Sequence, residues 1–147
     1  MAAFNPTKVM DSSEHVVVIV TIRNAGSAAG GTVVIDASTL VNHSADPVLY
    51  LEEVQWSINA AATGGVSLYY DASTDQEIVT MAPGNGYFGG DSFSALQLPA
   101  NTGATGFNGD IGVAINKVDG FGGSGSEITV VNGTIIAKFA KISGYND

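Results

Sequence analysis

Apolar and polar residues alternate most densely between Val54 and Gly90. Val54, Trp56 and Ile58 fall on one side of an extended chain, with Gln55, Ser57 and Asn59 on the other. Val66, Leu68 and Tyr70 repeat the pattern after Gly64 and Gly65. Ile78–Met81 is a further strand, returned by a turn whose Asp, Ser and Thr side chains can bond their own backbone. The spacing predicts a three-strand meander that buries Trp56.

Elsewhere the same period recurs in shorter pieces. Val16–Arg23 is a strand with two apolar faces: Val16, Val18, Val20 and Ile22 on one, Val17, Ile19, Thr21 and Arg23 on the other. A sandwich strand needs only one buried face. Cover for Val17 and Ile19 is therefore expected from a loop, a helix or another subunit. Residues 1–13 are small and polar and include Pro6; they read as an N-terminal arm, with Phe4 and Met10 as anchors on a neighbour. Thr32–Ala37 is a strand, and Ser38–His43 is either a short helical turn or a kinked continuation. Asp46-Pro47 signals a turn. In Val48–Asn59 the phase set by Leu49 and Leu51 inverts by Val54, which implies a bulge at Glu52-Glu53 or a strand that changes sheets.

Beyond the densest stretch, Ser92–Leu98 is a short strand closed by Pro99, and Asn101–Gly109 a loop. Asp110–Asn116 alternates, with Ile111, Val113 and Ile115 inward. Asp119–Ser126 is a Gly-rich, flexible loop with Phe121 at its tip. In Ile128–Ile142, Asn132-Gly133 favours a hairpin over a Gly bulge in one long strand. Nowhere do ten residues hold a 3.6 period. The fold predicted is all-β: an antiparallel β-sandwich, jelly-roll-like, of about eight or nine strands, occupying residues 14–147 as one domain after the arm.

Charge alters the picture. Charged residues are 13% of the 147, about half the usual share of roughly 25%. Either uncharged polar residues solvate the surface, or part of it is buried against a partner. A net charge of −9 with five Lys and Arg argues against nucleic acid and against anionic membrane surfaces. The absence of Cys removes disulfides, thiolate metal sites and Cys nucleophiles. No basic region precedes an apolar core near Met1, so no signal peptide is expected, and Val16–Val20 is too short to span a bilayer. Without a secretory signal the sequons at Asn42 and Asn132 read as chance matches.

Candidate chemistry is sparse. Gly84-Asn85-Gly86-Tyr87-Phe88-Gly89 spells a dinucleotide fingerprint, but no βαβ unit surrounds it. Asp71, Ser73, Asp75 and Glu77 space oxygens like half a calcium loop, yet Gln76 and Ala82 stand where Gly and Glu are needed. A self-capped turn explains the same residues, and neither a metal nor a cofactor is expected. His15 and His43 are the only imidazoles, with no triad spacing. Glu52 and Glu53 are adjacent, so on a strand they point to opposite faces and form no glycosidase pair by themselves. No enzyme activity is expected and no catalytic residue is assigned. Trp56 and Tyr70 share the phase of core aliphatics; Tyr69 and Tyr87 are better placed to stack on sugar rings. A carbohydrate-binding module, serving adhesion or receptor recognition, is the second reading.

The runs VVIDAS at 33–38, VQWSI at 54–58, VSLYYDASTDQEIVTMAPGNGYF at 66–88, TGFNGDIGVAI at 105–115 and ITVVNGTIIAKF near the end resemble small structural proteins of tailed bacteriophages. In that family a W-S strand precedes a strand ending in Y/W-D-A-x-T-D, then a G-N-G turn and a G-D-I strand. Here Tyr70 stands where Trp is usual, and Asn132-Gly133 interrupts a last strand that is usually continuous. The resemblance implies a capsid decoration, or cement, protein with a jelly-roll-like fold. It further implies a homotrimer on the outer face of the virion, partnered by the major capsid protein. Phe4, Met10, Val17 and Ile19 are the residues expected at oligomer or capsid contacts.

Overall fold

A computed structural model describes residues 3–60, 64–89 and 100–146. Nine strands lie among them: β1 (Phe4–Asp11), β2 (His15–Ala25), β3 (Thr32–Ile35), β4 (His43–Asn59), β5 (Val66–Tyr70), β6 (Gln76–Met81), β7 (Gly84–Gly89), β8 (Ile111–Ile115) and β9 (Val131–Tyr145). They form two antiparallel sheets, ordered β1-β2-β9-β4-β7 and β3-β8-β5-β6. The order has a simple generator. Strand β5 pairs with β6, β4 with β7, β3 with β8 and β2 with β9, so the pairs are nested like one long hairpin. Rolling that hairpin drops alternate pairs into opposite sheets, which is a jelly roll. The predicted all-β sandwich is the fold observed, with β1 added beside β2.

Strand β4 shows why the sheets meet cleanly. Its ladder with β9 shifts register between Leu51 and Glu53. Leu49, Leu51 and Val54 are all fully buried, a spacing that a regular strand cannot bury on one face. Of the two alternatives at Glu52-Glu53, the bulge is the one observed, and β4 stays within one sheet. Inward residues of β2, β4 and β9 (Val18, Leu51 and Phe139 among them) pack on Leu68, Tyr70, Ile111 and Val113 of the opposing sheet. Tyr70 reaches across the layers, its hydroxyl donating to the Leu49 carbonyl at 2.8 Å.

Several expectations are corrected. The meander does not form: β4 pairs with β7 and β9, while β5 and β6 belong to the other sheet. Alternation identifies faces but not partners. Gly64 and Gly65, with φ of 122° and 70°, carry the chain between layers. A side chain on either would strike the carbonyl of Lys117 or Met81. The Asn132-Gly133 hairpin is absent too, since β9 runs continuously from Val131 to Tyr145. A Cβ on Gly133 would press on the Ser57 carbonyl, so this glycine serves close strand approach. Asp46-Pro47 lies inside β4, where the register slips between His43 and Val48. Ser38–His43 opens within a 3₁₀ turn at Ala37–Thr39, capped by the Asp36 side chain. The strand expected over Ser92–Leu98 lies outside the described residues.

Residues 4–11 are not a free arm. They pair with β2 as the edge strand, and Phe4, 4% exposed, belongs to the chain's own core. The end of β1 is fastened by a buried ion pair. Lys141 Nζ, on a fully buried side chain, donates to Asp11 Oδ1 (2.6 Å) and to the carbonyls of Ser12 (2.6 Å) and Val41 (2.8 Å). Asp11 Oδ2 accepts from the Val41 N–H (2.9 Å) and Lys8 Nζ (3.1 Å). Burial alone would push the Asp11 carboxyl up; the hydrogen bonds from Lys141, Val41 and Lys8 outweigh it and hold the group below its ordinary value.

Removing one member of such a pair strands the other charge. We expect Asp11→Ala to lower unfolding free energy in urea by about 3–5 kcal/mol. Because the folded-state pKa is depressed, this contribution is complete above the unfolded value of about 3.9 and fades as pH falls below it. Urea midpoints compared from pH 7 down to pH 2 should therefore converge between parent and variant at the acid end. A constant gap would refute the assignment.

Candidate functional site

The outer face of the five-stranded sheet has the least usual composition in the molecule. Alternation along β2 sends Val16, Val18, Val20 and Ile22 inward and leaves His15, Val17, Ile19 and Thr21 outward. Pairing sets Met10 and Lys138 beside Val17, and Thr7 and Ile136 beside Ile19. Val17 and Ile19 are half-buried by these neighbours, while Met10 and Ile136 are each 39% exposed. The cover predicted for the second face of β2 is thus partial, and it comes from adjoining strands. Of the four expected contact residues, Met10, Val17 and Ile19 share this face and Phe4 does not.

The β4 bulge organises the charges here. Glu52 Oε1 lies 2.9 Å from His15 Nε2 and 4.0 Å from Lys138 Nζ, while Glu53 Oε2 accepts from the Tyr87 hydroxyl at 2.7 Å. Both carboxylates therefore meet partners on the outer side. The opposite-face expectation fails because it assumed a regular strand.

Farther along, register builds a second feature. Gln55 stands between Tyr87 of β7 and Ile136 of β9; one step on, Ser57 stands between Asn85 and Thr134. These two cross-strand rows line a hollow of about 630 Å³. Tyr87 is 50% exposed, as the sequence suggested. Tyr69 is buried instead, against that expectation. It lies over Gly31 and Gly112, where any side chain would overlap its ring, and Phe121 packs on it at 5.8 Å. Burial, with Asp75 and Asp71 nearby, pushes its hydroxyl up to about 12. The loop carrying Phe121 is tied down by the Asp119 carboxylate, which accepts from the N–H groups of Ser124 and Gly125.

The remaining motifs lie on a strand and a turn. Gly84–Gly89 forms the strand β7, paired along one side with β4. In the Asp71–Gln76 turn, Asp75 Oδ1 accepts from the Ala72 N–H, and the Ser73 N–H donates to the Thr105 carbonyl. Among the described residues no group of three or more His, Asp or Glu could hold a metal ion.

No family model, curated protein or solved structure matches this chain.

Sequence reasoning placed Gln55 and Ser57 opposite the core but missed the trio of strands that makes them a hollow. The missing signal is pairing: Asn85 and Thr134 lie 49 residues apart and meet only through β4. Trp56, on the inner side of β4, is half-buried, packed against the core with its Nε1 donating to the Ala82 carbonyl at 3.1 Å. A methyl at Gly86 would sit inside its ring. Gly86→Ala should cost about 1–3 kcal/mol in chemical denaturation and shift Trp emission to the red. An unchanged spectrum and midpoint would show that the ring does not lie over β7.

Proposed function

We propose that this chain is a non-enzymatic virion structural protein of a tailed phage, a capsid decoration or cement protein that binds the assembled shell from outside as a homotrimer. The observation that carries the reading is the cluster of Met10, Val17 and Ile19 on the outer side of a sheet whose inner side is already satisfied. Such a row exposes apolar surface that a solitary subunit gains nothing from showing to water. Symmetric closure would bury it against copies of itself. The jelly-roll order, the low share of charge and the likeness to phage structural proteins support the same conclusion. Attachment through a free N-terminal arm is no part of the proposal, because β1 is spoken for within its own sheet.

The mechanism is linkage. A protein that binds the assembled lattice better than free capsid subunits favours assembly by mass action. Three weak contacts in one trimer reinforce one another through effective concentration.

Light scattering on a sizing column should report a trimer for the parent and a folded monomer for the double variant Val17→Ser, Ile19→Ser. Parent trimer added to phage shells that lack it should raise their melting midpoint, and the variant should do so less. A monomeric parent, or a parent that leaves the shells unchanged, would overturn the reading.

A further inference from the structure

We infer that the hollow across β7, β4 and β9 is a binding site for a neutral oligosaccharide, with one sugar ring seated on the face of Tyr87. The inference does not depend on the capsid reading: it concerns the other half of the same sheet face. Trp56 and Gly86 also line the hollow, and the six other residues of its wall point to the ligand. Gln55, Ser57, Asn85 and Thr134 are exposed, uncharged, and able both to donate and to accept. Among the described residues none is hydrogen-bonded to these four side chains. A polyol presents the same mixture of donors and acceptors. Same-face residues on one strand repeat at about 7 Å and neighbouring strands at about 5 Å, so the Asn85–Ser57–Thr134 row and Gln55 beside it set four polar groups at spacings on the scale of linked sugar rings.

Tyr87 supplies the apolar part. Its ring is half-exposed at the rim while its hydroxyl is fixed on Glu53 at 2.7 Å, which orients the platform before any ligand arrives. Ile136 faces it from the far wall, across Gln55. The hollow, about 630 Å³, is open to solvent and closer to a surface groove than to an enclosed cavity.

Other occupants fit less well. An anion would meet a chain of net charge −9 and no lining cation. A cation would find no carboxylate in the wall, since Glu53 is turned to Tyr87. A second copy of this chain would have to meet each of four polar side chains with a group in the right place, and every one left unpaired costs free energy. A neutral polyol satisfies them.

Titration calorimetry tests this with cellohexaose, laminarihexaose, maltohexaose and α-1,6-mannohexaose, and with a heparin hexasaccharide as the charged comparison. We expect at least one neutral hexasaccharide to bind with a dissociation constant below about 1 mM, unaffected by salt. Tyr87→Ala should weaken it by about tenfold, and Tyr87→Phe should largely retain it. Gln55→Glu, which keeps Tyr87 in place, should weaken it as well. The Val17→Ser, Ile19→Ser variant should bind as the parent does, which separates this site from the subunit contact. The inference is overturned if none of the four neutral sugars binds, or if only the heparin fragment does. It also fails if Tyr87→Ala and Gln55→Glu bind like the parent, or if Tyr87→Ala dissociates the oligomer.

Discussion

Strand β9 must satisfy two ladders at once, and the rest of the fold is arranged around that demand. It pairs with β2 on one side and β4 on the other over most of its length, so its backbone groups face no solvent edge. Ile135, Ala137 and Phe139 point inward and are completely buried. A strand so placed can only be added when both neighbours are in register. The jelly roll meets this by making β2 and β9 the outermost pair of the nested hairpin, so that the last strand closes a gap already framed by the others. Glycine at 133 belongs to the same constraint, because a side chain there would push β9 away from the Ser57 carbonyl of β4. So does the bulge at Glu52, which keeps β4 in contact with β9 while its inward phase inverts.

The Lys141–Asp11 pair extends this closure to the edge. β1 is the natural weak point of the sheet, being an edge strand with a register shift between Lys8 and Met10. Pro6 and Lys8 discourage further strand addition along it. That leaves the strand with few means of holding on beyond its ladder and Phe4. Lys141 comes from the central strand, passes inward, and grips the far end of β1 and the Val41 carbonyl together. A buried pair adds little net stability by comparison with apolar packing. Its contribution is specificity: the charges can be satisfied only when β1, β9 and the segment before β4 are all in place.

Much of this architecture was legible in the alternation of residues, and what was not has a common cause. Periodicity reports which face a side chain takes, so the buried sides of β2, β4 and β8 and the change of phase in β4 could be read directly, while the choice between a bulge and a change of sheet could not. It carries no information on which strands are neighbours. That is why β4 to β6 resembled a meander, and why the rows through Gln55 and Ser57 became visible only with their partners on β7 and β9. Tyr69 was misjudged for a related reason. Its outward phase on β5 is real, but the Asp119-capped loop folds Phe121 over it, and a Gly-rich loop hides such a contact from any local reading. Phe4 reads as an anchor on a neighbour, not as core, because a short polar segment containing Pro looks unpaired until an edge is available to receive it. Lys141 gave no signal at all: one Lys in a strand of mixed pattern looks solvent-facing.

The distribution of charge explains how one sheet face can support two different interactions. Glu52 and Glu53 stand on the outer side of the five-stranded sheet, and each has a partner there. Others gather at loop ends, where Asp36 and Asp71 lie close enough to Asp110 to add to the effect of burial in raising its carboxyl. Copies of a chain carrying −9 repel one another, and repulsion between exposed charges is screened beyond about 8–10 Å in physiological salt. Surfaces that must come closer than this are therefore best kept free of unpaired acids. The β1–β2 side of the face combines that neutrality with aliphatic side chains, which suits contact with another protein. The β7–β4–β9 side combines it with amides and hydroxyls, whose burial is favourable only against a ligand that returns every hydrogen bond. Neutrality is shared by the two halves; the identity of the uncharged groups is what separates a protein-facing surface from a sugar-facing one.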